Sequence, residues 1–566
     1  MAPPPTEPTT ATMATDPATE SDFLLQSYTR LRHALITNRT HGDDVPESDL
    51  QKSSPANILP TPETFSAALS SLPSRSSHLY LAPRGPSETH AHLLTSILPA
   101  LNGQARSSRY YGFVTGGVLP VAEAADNLVT ALDQNVQVHF PLPPPPSSPS
   151  SSNAQQQQGS TGERWVHSVS TAIEDAALGM LVDLLHLDDK DDEGSYKREA
   201  RRGWPGRTFT TGATASNVLG LACGREAVVN ARVAAGGKTV ANDGLLAACL
   251  AGQVKEVQVL TSMGHSSLAK AASLVGLGHA SVKDVGVATE PWRLDLDAVE
   301  RELKRGEEGV VSIVVVSAGE VNTGRFATNV LDMPKLRSLA DRYGAWIHVD
   351  GAFGLFVRAL PETDEFLGLH ANVAGLELAD SIAADGHKLL NVPYDNGIFL
   401  CQHASVLTQV CSNPNAAYLA SPNDHNAILS PLNIGIENSR RFRALPVYAV
   451  LLSEGREGIA AMLSRMVLLA REIAAFVRDS EHYEWLPSEE ASLESTFIVV
   501  LFRAKEAALN EVLVDRINAS GRMFASGTKW EGQKAVRIAV GSWRVDVERD
   551  AAVVREVLTA IAVGRE

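Results

Sequence analysis

From Trp165 onward, the chain alternates between apolar runs of strand length and longer stretches with apolar residues at helical spacing. Runs such as EVQVLTS, GVVSIVVVSAG and AWIHVD are rich in β-branched residues, and stretches such as SSLAKAASLVGL and MPKLRSLADRYG lie between them. This alternation is typical of βαβ units. It predicts an α/β domain whose mostly parallel sheet is covered by helices on both faces.

The pattern changes on both sides of this central region. Residues 21–140 carry apolar positions at helical spacing, as in TFSAALSSLP and LPVAEAADNLVTALDQN, and predict an N-terminal helical segment. After about residue 446 the sequence predicts a long helix, then the strands STFIVVLFRA and KAVRIAVGS with further helices. We therefore expect a large domain over residues 165–445 and a smaller C-terminal α+β domain over residues 446–566.

Two stretches lack any such pattern. Residues 1–20 are rich in Pro and Thr, without the apolar centre of a signal peptide or the arginines of a transit peptide, and predict a disordered leader. Residues 141–164 are rich in Pro, Ser and Gln, a composition that cannot bury a core. This second stretch predicts a disordered insertion in a surface loop.

Composition narrows the classes of function. The 566 residues have a formal net charge of -16, from 49 basic and 65 acidic side chains, which disfavours binding to nucleic acid or an anionic membrane. No apolar run reaches the length that crosses a bilayer. The four cysteines show no CxxC pair and predict reduced thiols rather than a metal site or a disulfide framework. We expect a cytoplasmic protein.

Four short motifs lie at predicted strand ends, where open α/β sheets bind their ligands. The first, TTGATASN, opens a helix, and Ala213, the Thr214 hydroxyl and the helix N-terminus favour a single phosphate. The second, SMGHSSLAKA, places His265 and Ser266 after a strand, where the imidazole can stack on a flat ring and the serine can reach the same phosphate. Each motif taken alone is more typical of an ordinary helix cap.

The other two motifs carry charged side chains in apolar surroundings. Asp350 in WIHVDGAFG ends a buried strand and requires a cation or hydrogen bonds, which a protonated ring nitrogen provides, and Ala352 leaves room for a ring. An aspartate that caps the next turn is an equally good interpretation. In DSIAADGHKLL, Lys388 follows Asp385 and His387. A lysine in low-dielectric surroundings is a nucleophilic amine suited to a Schiff base, although a single lysine more often extends to the surface.

Together, the four motifs favour a functional interpretation. A phosphate cradle, a stacking group, a carboxylate for a pyridine nitrogen and an imine-forming lysine are the parts of a pyridoxal 5′-phosphate (PLP) site. The carboxylate keeps the ring nitrogen protonated, so that the ring withdraws electrons from the α-carbon of the substrate. The combination predicts a PLP-dependent enzyme.

With these motifs the chain resembles the group II PLP-dependent amino-acid decarboxylases, which have the aspartate-aminotransferase fold (fold type I). The matching stretches follow the family order over nearly the whole chain beyond about residue 60; they are RYYGFVTGG, TTGATASNVLGLACGR, GHSSLAKAASLVGLG, AWIHVDGAFGL, DSIAADGHKLLNVPYDNGIFL, SRRFRALPVYAVL and SGTKWEGQKAVRIAVGSWR. The resemblance implies a seven-stranded sheet. It also implies a carboxy-lyase that removes the α-carboxylate of an L-amino acid through a Schiff base on Lys388 and a quinonoid intermediate.

The resemblance also implies roles for single residues. Lys388 is the implied Schiff-base lysine, Asp350 the partner of the pyridinium nitrogen, and His265 the group that stacks on the ring face opposite Ala352. The residues implied to hold the phosphate are Ala213, Thr214, Ser266 and His387. The residues implied to line the substrate pocket are Phe113 and Val114. In the family such pocket residues come across a dimer interface, so an obligate homodimer is implied.

Three departures from the family leave the reaction open. The stretch 419–439 lacks the tyrosine that returns a proton in the aromatic-amino-acid decarboxylases. His425 is the one obvious proton donor there, although a solvated loop histidine is the more ordinary interpretation. EVNTG replaces a Thr-rich turn and places Glu320 and Asn322 near the cofactor, and Leu389 stands where a Trp is usual.

The alternatives are therefore an aldehyde synthase, a retro-aldol lyase, a C–C bond-forming enzyme or a non-catalytic binding protein of the same fold. Intact Lys388, Asp350 and His265 argue against the last of these. The apolar segment YYGFVTGG favours an aromatic or aliphatic amino acid over glutamate as the substrate.

Overall fold

The N-terminal segment is helical, in agreement with its apolar spacing. The computed structural model describes residues 17–37, 58–77, 80–137, 168–188, 203–413, 428–487 and 492–565. The first helices are α1 Pro17–Thr37, α2 Pro62–Ser71, α3 Gly85–His92 and α4 Pro120–Leu132, with a π-helical turn over Leu93–Ile97. Helix α1 includes residues 17–20 of the expected leader. The remainder of that leader and the expected insertion at 141–164 lie outside the described residues.

Within the described residues 203–413 the structure has nine strands. They are β1 Gly206–Thr210, β2 Glu256–Thr261, β3 Val282–Asp284, β4 Gly286–Val287, β5 Glu290–Leu294, β6 Val310–Ser317, β7 Trp346–Asp350, β8 Ser381–Asp385 and β9 Gly397–Cys401. Seven of them form one sheet in the order β1-β9-β8-β7-β6-β2-β3, and β4 pairs with β5 in a separate hairpin. Every residue of β6, β7, β8 and β9 is buried, as expected for strands covered on both faces.

The sheet is mostly parallel, as predicted. Strands β3, β2, β6, β7 and β8 run parallel, whereas β9 is antiparallel to both β8 and β1. Parallel neighbours require crossover connections. The helices of this domain are α5 Ser170–Leu184, α6 Ala213–Asn230, α7 Val240–Asp243, α8 Leu245–Ala251, α9 Ser266–Leu274, α10 Leu296–Lys304, α11 Asp332–Tyr343, α12 Leu367–Val373, α13 Gly386–Leu389 and α14 Ala404–Cys411.

The C-terminal domain packs three helices against a four-stranded antiparallel sheet. Its helices are α15 Ala444–Arg478, α16 Ala507–Ala519 and α17 Val547–Ala562, and its strands are β10 Tyr483–Leu486, β11 Val499–Ala504, β12 Ser526–Trp530 and β13 Gln533–Ala539. The sheet order is β10-β11-β13-β12. Helix α15 bends at Gly455, whose φ of 58° and ψ of -168° lie outside helical geometry and are accessible to glycine.

Short 3₁₀ turns connect several of these elements. They lie at Leu98–Ala100, His279–Ser281, Arg305–Glu308, Gly354–Ala359, Asp364–Phe366, Leu376–Leu378, Pro431–Asn433 and Leu493–Ser495.

The sheet and its helices place polar side chains at one edge. Ser317 and Asp350 end β6 and β7 in register, and Asp385 ends β8. The carboxyl ends of parallel strands share an edge, and ligands of open α/β folds bind there. The N-terminus of α6 lies at the same edge, because the Ala213 N–H donates to Asp385 Oδ1 at 2.6 Å.

Candidate active site

A cavity of about 490 Å³ lies at this edge of the sheet. Its wall combines all four motifs, which are far apart in the sequence. The predicted site residues that line it are Phe113, Val114, Ala213, Thr214, His265, Asp350, Ala352, His387 and Lys388. Ser266 is not part of the wall, and the predicted His425 lies outside the described residues.

Lys388 lies in the one-turn helix α13, directly after β8. The turn requires a glycine at 386, because a Cβ atom there would come within 2.5 Å of Asn396 Oδ1. The Lys388 Nζ lies 3.1 Å from Asp385 Oδ2 and 5.7 Å from the centre of the Phe353 ring. Since the other oxygen of Asp385 accepts the N–H of Ala213, this buried carboxylate joins the lysine to the N-terminus of α6.

Asp350 is a buried carboxylate held by neutral donors. Its Oδ2 accepts a hydrogen bond from Asn217 Nδ2 at 2.9 Å, and its Oδ1 accepts from the Ala352 N–H at 3.4 Å. Within the described part of the chain, no Lys or Arg nitrogen lies within 4.0 Å of this carboxylate. A buried carboxylate without a cation suits a protonated ring nitrogen as its partner.

His265 precedes α9 and caps it. Its Nδ1 accepts the backbone N–H of Ser267 at 3.2 Å and lies 2.7 Å from the Ser267 hydroxyl. Because a backbone N–H only donates, Nδ1 is an acceptor and the ring proton lies on Nε2. Ser267 lines the cavity, whereas Ser266 is exposed, so the phosphate role of Ser266 stays a prediction.

His387 and Thr214 form the end of the cavity predicted to hold the phosphate. His387 Nδ1 lies 2.8 Å from the Asn396 carbonyl oxygen, which only accepts, so Nδ1 carries a proton. Burial lowers the pKa of His387, and its Nε2 lies 3.7 Å from Asp385 Oδ2. Because a nearby anion raises the pKa of an imidazole, a phosphate would favour the doubly protonated ring that donates from Nε2.

The sequence did not reveal Arg537. This residue lies on β13, is 8% exposed and lines the cavity. Its guanidinium donates to the carbonyl oxygens of Val321 at 3.0 Å and Gly112 at 2.6 Å, and to Ser526 Oγ at 3.3 Å. Burial lowers the pKa of Arg537, and Glu320 opposes this effect. A cation inside the apolar run AVRIAV was the available signal.

The turn after β6 supports Arg537. Glu320 lines the cavity, and its carboxylate accepts from Asn322 N and Nδ2 at 2.8 and 2.9 Å, and from Thr323 N and Oγ1 at 2.8 and 2.9 Å. These bonds fix the turn that presents the Val321 carbonyl to Arg537. Asn322 lies outside the cavity wall and accepts a hydrogen bond from Thr528.

The structure also places the segment YYGFVTGG and Leu389. Phe113 and Val114 line the cavity of their own chain, and the part that a partner subunit takes in the site stays a prediction. The loop before α4 reaches the site because a Cβ atom at Gly116 would come within 2.1 Å of the Lys388 carbonyl oxygen. Leu389, which replaces a usual Trp, is fully buried in the hydrophobic core and is not part of the cavity wall.

The fold is that of fold type I, as predicted. The crystal structure of Oryza sativa TDC with PLP and tryptamine matches 98% of this chain and 99% of that chain, with a TM-score of 0.71. The sequence identity is 18%, so this likeness shows the fold alone.

The sequence then identifies the family. Residues 163–505, more than half of the chain, match the pyridoxal-dependent decarboxylase conserved domain. The chain belongs to this family, and PLP is its cofactor, which confirms the prediction made from the four motifs.

Two curated relatives show the range of the family. The chain is 30% identical over 328 residues to an L-2,4-diaminobutyrate decarboxylase of Acinetobacter baumannii, which covers 56% of this chain and 60% of that protein. It is 28% identical over 300 residues to a phenylacetaldehyde synthase of a Rosa hybrid cultivar, which covers 49% of this chain and 55% of that protein. The chain thus matches less than two thirds of either relative.

The cavity fits the cofactor. Its volume lies within the usual range for small-molecule sites. Asp350 offers a carboxylate without a cation to the ring nitrogen, and Lys388 offers an amine to the aldehyde carbon. Thr214, His387 and the N-terminus of α6 would hold the phosphate.

Proposed function

We propose that the chain is a PLP-dependent carboxy-lyase that removes the α-carboxylate of an L-amino acid. The observation that carries the proposal is a pair of buried charges in one cavity with Lys388, neither of which forms a direct salt bridge among the described residues. The hydrogen-bond donors to Asp350 and the acceptors of Arg537 are all neutral there. One suits a cofactor ring and the other suits the carboxylate of a substrate. The diaminobutyrate decarboxylase relative supports this reaction.

The residues divide the work of the reaction. When bound, PLP supplies a ring that accepts the electrons released at the α-carbon of the substrate. Lys388 provides the nucleophilic amine, and Asp385 holds or removes its proton at 3.1 Å. Asp350 keeps a proton on the ring nitrogen. Arg537 orients the carboxylate, so that the bond to be broken is held in one direction.

The return of a proton to the α-carbon of the substrate decides whether the product is an amine or an aldehyde. The proton donors that line the cavity in the described part of the chain include the Nε2–H of His265 and the hydroxyl of Tyr394. Burial is the main cause that raises the pKa of Tyr394, so its hydroxyl keeps its proton at neutral pH. These donors favour decarboxylation without a tyrosine in the 419–439 stretch. The aldehyde synthase alternative retains support from the phenylacetaldehyde synthase relative.

The substrate and the assembly remain proposals. Apolar side chains of Phe113, Val114 and Phe353 line the cavity, and Glu320 adds a negative charge, so we propose an aromatic or aliphatic amino acid rather than glutamate. Phe113 is 55% exposed at the cavity, which supports a homodimer that covers it. No helix in the described ranges has the length and apolar character to cross a membrane. The cytoplasmic location and the absence of a nucleic-acid partner stay predictions.

The test combines colour with product analysis. The purified protein with PLP should be yellow and should release CO₂ and an equal amount of amine from one member of an amino-acid panel. The panel contains aromatic and aliphatic amino acids, 2,4-diaminobutyrate and glutamate. Lys388→Ala should lose the yellow band and at least a thousandfold in rate, because it removes the nucleophile. Lys335→Ala, at an exposed ion pair on α11, is the matched control and should keep both.

Two results would overturn parts of this proposal. Hydrogen peroxide and aldehyde in place of the amine would refute simple decarboxylation and favour the aldehyde synthase. A wild-type protein that binds PLP but releases no CO₂ from any amino acid would refute the carboxy-lyase activity itself.

A further inference from the structure

A chain of buried hydrogen bonds leads away from Asp350 into the core behind the cavity. Asn217 Nδ2 lies 2.9 Å from Asp350, and its Oδ1 lies 3.0 Å from His348 Nε2. His348 Nδ1 lies 2.8 Å from Ser381 Oγ, which lies 3.0 Å from the indole Nε1 of Trp346. All five residues are at least nine-tenths buried, so this is a polar network inside the protein.

The donor and the acceptor of each hydrogen bond follow from the groups at the two ends of this network. The indole N–H of Trp346 can only donate, so Ser381 Oγ accepts there and gives its own proton to Nδ1 of His348. At the other end the Asp350 carboxylate only accepts, so the amide nitrogen of Asn217 faces it. Asn217 Oδ1 therefore accepts from His348, which must carry its proton on Nε2. Each of the four donor groups in this network therefore donates one hydrogen bond, and no two assignments conflict.

The charge state of His348 agrees with this direction. Burial, partly opposed by the charge of Asp350, lowers the pKa of His348 to about 4, so the ring is neutral at physiological pH. A neutral imidazole has one N–H donor and one acceptor, which is what the chain requires.

The core is shaped to hold the ring. His348 is 0% exposed, and a Cβ atom at Gly220 of α6 would come within 2.3 Å of its Cε1 atom. Any larger residue at position 220 would therefore displace the imidazole. Gly220 on α6 thus provides the space for His348 on β7.

We propose that Asn217, His348 and Ser381 are positioning residues that hold Asp350 as an ionised acceptor for the ring nitrogen of PLP. The network places the neutral amide donor of Asn217 against the Asp350 carboxylate. Its hydrogen bonds can polarise one another without the transfer of a proton. Hydrogen bonds to the ionised form favour that form, so the pyridine proton stays on the cofactor. The proposal rests on the assigned role of Asp350 and does not require the decarboxylation reaction.

The network also extends to the second ring-binding residue. The Nδ2 of Asn217 lies 3.5 Å from Ser267 Oγ, which lies 2.7 Å from Nδ1 of His265. One amide thus lies behind both Asp350 and His265. Replacement of Asn217 is therefore the change that disturbs the largest part of the network.

The experiment follows the absorbance of bound PLP as a function of pH, in the absence of any substrate. Asn217→Leu and His348→Phe should raise the pH midpoint of the absorbance change by one unit or more. The reason is that a ring without its nitrogen proton withdraws less charge from the Lys388 nitrogen, which becomes more basic. Both variants should also bind PLP at least tenfold more weakly.

Two further variants separate the hydrogen bond from packing. His348→Gln can still donate to Asn217 and should restore most of the midpoint, to within about 0.3 pH units of wild type. Val349→Ala, on the opposite face of β7, removes buried atoms without touching the chain and should leave the midpoint unchanged. If His348→Phe does not fold, Ser381→Ala carries the same expectation with a smaller shift.

Three outcomes would overturn the proposal. They are an unchanged midpoint in Asn217→Leu, an equal shift in Val349→Ala, and no difference between His348→Gln and His348→Phe. A protein that binds PLP with the expected pH response but shows no decarboxylation would refute the proposed function and leave this inference intact.

Discussion

At the scale of residues, Arg537 is the group whose role in the cavity is most specific. Its donors all end on carbonyl or hydroxyl oxygens, so Arg537 forms no direct ion pair among the described residues, and Glu320 acts on it only at longer range. Burial of a cation without a direct ion pair is costly, and its desolvation is already reflected in a lowered pKa. The entry of a substrate carboxylate would supply a direct partner.

Replacement of Arg537 should therefore affect the binding of carboxylates and spare the binding of amines. Arg537→Met should lower kcat/KM by about 30- to 1000-fold, which corresponds to roughly 2–4 kcal/mol for one partner of a buried charge pair. Titration calorimetry should show the same loss of affinity for the amino acid and little loss for the product amine, which lacks a carboxylate.

The absorbance of bound PLP is the control for this prediction and should match that of the wild-type protein. An equal loss of affinity for the amino acid and for the amine would show that Arg537 only shapes the cavity.

The sequence could reveal some of these residues but not others. Lys388 and Asp350 are visible because each places a charge at the end of an apolar run. Arg537 gives the same signal in the middle of a strand, where no turn marks a ligand site. Asn217 is a neutral residue inside a helix, and its importance depends on contact with His348, a residue that is 131 positions away in the sequence.

At the scale of elements, α6 connects the cavity to the sheet. Its N-terminus meets Asp385, and glycines along one face allow it to lie close to β6 and β7. A Cβ atom at Gly224 would come within 3.0 Å of Ile313 and Trp346, and one at Gly220 would overlap the His348 ring. Close packing of this helix therefore depends on two positions without side chains.

Gly220→Ala should lower the stability of the protein in spite of the higher helix propensity of alanine. We expect a loss of about 1–3 kcal/mol from overpacking, which would lower the midpoint of thermal unfolding by a few degrees. The reason is that the new methyl group has to displace a fully buried ring.

Gly368→Ala in α12 is the matched control, because a Cβ atom there meets nothing within 4 Å. It should leave the midpoint unchanged or raise it, by up to about 1 kcal/mol of stability. Equal effects of the two substitutions would contradict the packing argument.

The predicted helices and strands agree best with the structure where the apolar pattern of the sequence is strong. Strands β2, β6 and β7 lie where their apolar runs predicted them. Strand β1, in the sequence GRTFT, carries little apolar signal and is not among the predicted strands. Helix α6 ends at Asn230, before the alanines that continue its helical pattern, since the chain turns there toward α7. Pairing partners decide such cases, and they are not local to the sequence.

At the scale of the whole molecule, the described surface exposes a number of large apolar side chains. Several lie in the N-terminal segment, and one lies at the cavity; they include Leu25 at 68%, Leu81 at 86%, Leu132 at 63% and Phe113 at 55% exposure. Contiguous exposed apolar surface marks sites of association. The exposure of Phe113 at the cavity therefore supports the proposed homodimer.

The net charge limits the kind of interface that two copies can form. Each chain carries a formal charge of -16, so two copies repel each other at long range. Salt screens this repulsion over about 8–10 Å. An apolar interface should therefore be maintained or strengthened by added salt, whereas an interface held by ion pairs should weaken.

We expect the purified protein to have a mass of about twice 60.4 kDa by light scattering, at both low and high salt. Phe113→Glu should weaken the dimer, because it would bury a charge against an apolar partner surface. Leu246→Glu, at a more exposed apolar position on α8, is the control and should leave the mass unchanged. A monomeric wild-type protein at micromolar concentration would contradict the homodimer. Dissociation by salt alone would instead show that charge, rather than the apolar surface near the cavity, holds the two chains together.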